Sequence, residues 1–150
     1  MSTTTPQEVA TAVAPIAEGL AAFRPRLSYL SYHVTNVERA LGFYVGVLGM
    51  KEQARLALGN GLHEIVVGFA DAPGASLILM WDEKRTEPYR LGDGYSRLIV
   101  RVSDVDGAMR ELAKHDDIVV VKEATDAGSL RYSMVKDPDG YVVEFLQFKR

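Results

Sequence analysis

The chain has 150 residues, the size of one compact domain with a real core. Its apolar fraction of 47% beside 25% charged residues is the balance of a globular protein. A net charge of −3 gives no electrostatic ground for binding nucleic acid or an acidic membrane surface. With no cysteine, disulfides, thiolate metal ligands and a cysteine nucleophile are all excluded.

No apolar run approaches the roughly 20 residues of a membrane span, and the opening MSTTTPQEVATAV lacks the basic start of a secretory signal. The expected compartment is the cytoplasm, with no membrane partner. Residues 1–26 read as a helical extension. Thr5 can cap a helix with Pro6 at its first position and Glu8 in the box position. Val9, Val13, Ile16, Leu20 and Phe23 follow at helical spacing, and Pro15 interrupts them, which predicts a kink or two short helices. Such a segment is expected to cover an edge or face of the domain.

A first module begins at Leu27. Its strand alternates, with Tyr29, Ser31 and His33 on one face and Leu30, Tyr32 and Val34 on the other. A helix over 37–48 follows, with a capping box from Thr35 to Glu38 and Gly49 as its stop. Strands are predicted over 51–58, 62–69 and 76–81, separated by the turn sequences GNG and DAPG. Residues 82–94, DEKRTEPYRLGDG, are charged and turn-rich and form the natural linker.

Residues 95–112, YSRLIVRVSDVDGAMREL, then repeat residues 27–44, LSYLSYHVTNVERALGFY, in the register that lays Tyr29 on Arg97. Each copy runs from an alternating strand to a Val (Val34, Val102). A cap follows (Thr35-Asn36, Ser103-Asp104), then an acid and an apolar helix. The second module continues with a helix over 105–114 and strands over 118–122, 130–136 and 141–148. Its last turn is Asp137-Pro138-Asp139-Gly140, where glycine supplies positive φ. The result is an α+β chain of two tandem βαβββ modules, 27–81 and 95–150. Curved antiparallel sheets are expected around a trough, a natural place for a ligand.

Three stretches carry a resemblance. FYVGVLGM at 43–50, LGDGYSRLIVRVSDV at 91–105 and DPDGYVVEF at 137–145 resemble the vicinal oxygen chelate superfamily, which includes glyoxalase I, bleomycin-resistance proteins and extradiol dioxygenases. The middle and last motifs look most like the glyoxalase I branch. The resemblance implies four side chains around a divalent ion, and by motif those positions fall on Tyr29, Ile78, Arg97 and Glu144. Only Glu144 keeps a family ligand type. A guanidinium has no lone pair to donate, isoleucine has no donor atom, and a phenol with a free pKa near ~10 binds as phenolate only at a cost. The expectation is a lost metal site and no cofactor.

In its place stands either a structural ion pair or a functional trio. In the functional reading Arg97 holds a carboxylate, enolate or phosphate by a bidentate contact. Glu144 acts as general base, the role the resemblance implies for that position, and Tyr29 as hydrogen-bond donor or acid. His33 shares the face of Tyr29, and Arg101 that of Arg97. With Ile78 and Met80 as apolar wall, they complete the candidate ligand-binding set. His63 and His115 read as solvated or structural. Three functions stay open. The first is a metal-independent protein that binds a small carbonyl-bearing or anionic molecule, with proton-transfer isomerase or lyase chemistry if it turns the molecule over. The second is a sequestering protein of the bleomycin-resistance kind. The third is a metal-dependent lactoylglutathione lyase or dioxygenase with unusual ligands. The resemblance also implies a homodimer.

Overall fold

The structure is a computed structural model that describes residues 19–71 and 74–150. Most of the predicted N-terminal stripe therefore lies outside the described residues. Its last two members fall in a short 3₁₀ turn, Leu20–Phe23, where Leu20 and Phe23 are both exposed.

Two sheets of four strands follow, each with one helix. The first holds β1 (Tyr29–Val34), β2 (Lys51–Gly59), β3 (Leu62–Gly68) and β4 (Ser76–Asp82), in the order β1-β4-β3-β2. The second holds β5 (Leu98–Arg101), β6 (Val119–Ala127), β7 (Leu130–Lys136) and β8 (Val142–Phe148), in the order β5-β8-β7-β6. The βαβββ repeat is thus present twice.

The sheets are mixed rather than antiparallel, because β1 pairs with β4, and β5 with β8, in parallel. The cause lies in the connection. A helix returns the chain to the end where the first strand began, so after two hairpin reversals the last strand runs the same way as the first.

Helix α1 spans Val37–Leu41 and passes into a π-helical turn over Gly42–Val47. The predicted helix over 37–48 therefore changes period half-way. Leu48 N–H donates to Phe43 O at 2.9 Å and Met50 N–H to Tyr44 O at 3.0 Å. The wider turn lets the consecutive residues Phe43 and Tyr44 both enter the core. Gly49 ends the segment at φ 77°, a conformation that disfavours any side chain. The cap is Asn36, not Thr35: Asn36 Oδ1 accepts from Arg39 N–H at 2.9 Å, while Thr35 N–H donates across to Asp139 Oδ1 at 2.8 Å. Asn36→Ala should lower stability by about 1 kcal/mol, read by urea unfolding.

Helix α2 (Val105–Leu112) is capped by Asp104, whose carboxylate accepts from Gly107 N–H at 3.0 Å. Two strands depart by more than one residue from the predicted bounds, the first of them read from the sequence as 96–102. β5 starts at Leu98, leaving Arg97 just outside it, and β6 runs on to Ala127, past the expected end at Lys122.

One core spans both modules. Tyr32, Val34, Phe43, Tyr44 and Leu79 from the first meet Val100, Val105, Val135, Val143 and Phe145 from the second. The helix-facing sides of the sheets are buried there. In β1 this leaves Tyr29, Ser31 and His33 exposed opposite buried Tyr32 and Val34, as the alternation predicts, while Leu30, expected on the buried face, is 48% exposed. Among the described residues no helix is long and apolar enough to cross a membrane.

Candidate ligand-binding face

The open face of the second sheet is organised by β8. Glu144 there has Ile99 of β5 on one side and Met134 of β7 on the other. Its side chain is only 7% exposed, so its charge needs a partner. Arg97 supplies one from two residues before Ile99. Its Nε donates to Glu144 Oε2, and its Nη1 donates to Ser96 Oγ at 3.0 Å. The Arg97 side chain is 39% exposed, so one end of the ion pair is buried and the other meets solvent.

The corresponding face of the first sheet is set by the parallel register of β1 on β4. Tyr29 lies opposite Ser76, Ser31 opposite Ile78, and His33 opposite Met80. Ile78 and Met80 are half-buried. Tyr29 is 55% exposed, and no hydrogen bond joins it to Arg97 or Glu144. The structure therefore brings Arg97 and Glu144 together but leaves Tyr29 apart within one chain. The reason is topological: β1 and β8 belong to different sheets, and no ladder links them.

His33 is engaged elsewhere. Its ring stacks on Tyr89 of the linker, with centroids 4.7 Å apart and planes at 23°. The Arg85 guanidinium covers the same tyrosine, 4.0 Å from its centroid. The linker thus wraps the end of β1, a role its charged and turn-rich sequence did not indicate. Arg101 stacks over Phe148 at 4.6 Å and touches neither Arg97 nor Glu144. His63 stacks on Trp81, with Nε2 3.3 Å from Glu83 Oε2.

Behind this face a buried polar brace locks the modules together. Tyr44 Oη donates to Asp137 Oδ2 at 2.7 Å, which leaves the Tyr32 hydroxyl to donate to Tyr44. Asp137 Oδ1 accepts the backbone N–H groups of Asp139 and Tyr141, each at 2.9 Å. Tyr141 Oη donates to the carbonyl of His33 at 2.9 Å, and Arg39 Nη2 to that of Pro138 at 2.7 Å. Gly140 closes the turn at φ 93°, the positive value expected of it. The DPDGY sequence is therefore a clasp on the first module as well as a hairpin turn. The turn was readable from the sequence, but the partners Tyr44 and Thr35 were not.

Burial pushes the hydroxyls of Tyr32 and Tyr44 well above the usual tyrosine value, that of Tyr141 up to about 12, and also raises that of Tyr95. Burial also raises the Asp137 carboxyl, against the opposing hydrogen bonds from Tyr44 and the Tyr141 backbone. A carboxyl raised on folding holds an extra proton in the folded state. Its contribution to stability is fully present below the unfolded value near ~3.9 and falls as pH rises through the folded value. The stability difference between wild type and Asp137→Asn should therefore shrink from about pH 4 to pH 7. Urea unfolding across that range checks the sign.

The four positions that the resemblance assigns to a divalent ion do not fit one within this chain. Arg97 has no lone pair and occupies Glu144, Ile78 has no donor atom, and Tyr29 stands apart. Among the described residues no cluster of three or more His, Cys, Asp or Glu side chains could hold a metal.

Two βαβββ modules, each a four-stranded mixed sheet with a helix after its first strand, define a paired-module fold. Residues 26–145 match the family described as Glyoxalase/Bleomycin resistance protein/Dioxygenase superfamily, and the chain belongs to it. It is 35% identical to the lactoylglutathione lyase of Neisseria meningitidis serogroup A, over 83% of this chain and 91% of the relative. To the lactoylglutathione lyase of Salmonella typhimurium it is 26% identical, over 83% and 93%. Among solved structures, Leishmania major glyoxalase I, described as trypanothione-dependent, superimposes with a TM-score of 0.72 at 25% identity, covering 82% of this chain and 86% of that one. An antibiotic binding protein from a Streptomyces species gives a TM-score of 0.67 at 25% identity, covering 83% and 97%. The chain is thus a glyoxalase-like member of the superfamily, similar to lyases and to a binding protein.

Proposed function

We propose that this protein binds a small carbonyl-bearing or anionic organic molecule on the open face of its sheets without a metal. The observation that carries this reading is the Arg97–Glu144 ion pair, formed where the resemblance calls for two metal ligands. Arg97 is half-exposed with its Nε and Nη1 engaged, and Nη2 has no hydrogen-bond partner among the described residues. A guanidinium in that state can hold a carboxylate or enolate oxygen where a metal would otherwise polarise it.

If the bound molecule carries an acidic C–H beside a carbonyl, Glu144 is the carboxylate placed to take the proton, and Tyr29 of a second copy is the hydroxyl to assist. A homodimer fits this reading, because Tyr29 is 55% and Ile99 49% exposed on open faces that do not meet within one chain. A sequestering role is the second reading. It is favoured by the likeness to the Streptomyces antibiotic binding protein, nearly all of which this chain covers.

The test is titration with small carboxylates and α-keto acids in the presence of chelator, followed by NMR, with turnover of each bound compound then assayed. Binding that survives the chelator supports the reading, and binding only after metal addition overturns it. For a compound that is turned over, Glu144→Gln should abolish turnover and leave affinity within about tenfold. Equal loss of both would make Glu144 a structural partner of Arg97 alone.

A further inference from the structure

A second site lies between the modules, away from the Arg97–Glu144 pair. A cavity of about 650 Å³ opens between the end of the π-helical turn, α2 and β5. Its floor is apolar: Val100, Leu112 and Phe145 are buried there, with Phe69 half-buried at the side. An adjoining chamber of about 390 Å³ shares Phe69, Val100 and Arg101 with it. That chamber continues between the sheets along Leu30, Val67, Leu77 and Leu98, and reaches Ile99. Neither Arg97 nor Glu144 lines either space.

The charges at the mouth are unevenly committed. Glu111 is held by Lys114 Nζ at 2.7 Å. Arg101 sits at the junction of the two chambers, its guanidinium over the Phe148 ring, and forms no ion pair among the described residues. Lys51 lines the larger cavity, is exposed, and also forms no ion pair among the described residues. Asp71 and His115 complete the polar rim. Two cations at the mouth, set over an apolar passage, complement an anion with an apolar body. Lys51 and Arg101 both border the larger chamber and outnumber the exposed acid Asp71 on its rim, while the apolar chamber runs on from Arg101, which suits a head and a tail rather than a compact anion.

We infer that the cleft between the modules binds an amphiphilic carboxylate, its head held by Lys51 and Arg101 and its aliphatic body along Val100, Leu77 and Leu98. This site is separate from the open-face reading and does not depend on it. It also gives Arg101 a role of its own, distinct from that of Arg97.

The experiment is calorimetric titration of the full chain with decanoate, and with decyltrimethylammonium as a cation of the same chain length. Decanoate should bind at one per chain and the cation should not. Lys51→Gln and Arg101→Gln should each weaken decanoate binding at least about tenfold, or about 1.4 kcal/mol. Lys51 is exposed and packs into no core, so its variant should fold normally, and a thermal melt confirms this. Lys122→Gln, at an exposed cation that lines neither chamber, should leave decanoate affinity within about twofold. Absence of decanoate binding overturns the inference, and so does equal binding of both amphiphiles, which would mark plain apolar adsorption. Unchanged decanoate affinity in Lys51→Gln and Arg101→Gln also overturns it, by moving the ligand to another site.

Discussion

Arg97→Met is expected to lower stability by about 2–3 kcal/mol and to weaken binding of an anionic ligand at least about tenfold. Glu144 is buried and Arg97 is its ion-pair partner, so the substitution leaves a carboxylate with no counter-charge. Breaking a fully buried pair typically costs about 3–5 kcal/mol. The Arg97 side chain is 39% exposed, and water can replace part of it, which sets the lower figure. The pair of Arg97→Met and Glu144→Gln should be strongly non-additive, since the second change removes the charge that the first one strands. If the double variant is as stable as wild type yet still fails to bind, Arg97 contacts the ligand itself. If it recovers binding as well as stability, Arg97 serves only to neutralise Glu144. Urea unfolding and ligand titration on the four proteins of the cycle separate these outcomes.

The second large effect lies away from the open face. Asp137→Ala removes one acceptor from three donors at once: the Tyr44 hydroxyl and the backbone N–H groups of Asp139 and Tyr141. Each stranded buried donor costs about 1–3 kcal/mol, and shared relaxation keeps the sum near ~4 kcal/mol. At this chain length that corresponds to a fall in Tm of roughly 10 °C. Tyr44→Phe, which removes one donor from Asp137 and strands the Tyr32 hydroxyl but leaves the carboxylate its backbone partners, should lose about 2 kcal/mol. A loss in Tyr44→Phe as large as in Asp137→Ala would mean that the tyrosine, rather than the turn, carries the brace.

The repeat was legible because its signals are local. The alternation around Tyr29 to Val34, the cap at Ser103-Asp104 and the DPDG turn each act within a few residues, and all three appear in the structure. The approach of Arg97 to Glu144 could be read only through the motif positions, and the ion pair bears that expectation out. What the sequence left hidden depends on distant partners. The π-helical turn at Gly42–Val47 serves to bring Tyr44 to Asp137, far along the chain, and no local propensity encodes it. The Thr35–Glu38 capping box does not form: the Thr35 N–H donates to Asp139 of the other module, and Asn36 supplies the capping oxygen. Tyr29 was expected to join the ion pair, but sheet membership keeps it apart within one chain. His33 was read as facing an open trough, while its partner Tyr89 came from a linker with no periodic pattern.

Metal binding by chelator-stripped protein is the most direct measurement of whether Arg97 has replaced an ion. Calorimetric titration with Ni²⁺ and Zn²⁺ should show no binding at micromolar concentrations, and Arg97→His should not restore a tight site while Ile78 still lacks a donor. Micromolar or tighter binding of one ion per chain to the unaltered protein would contradict the metal-free reading and return the chain to the metal-dependent lyases.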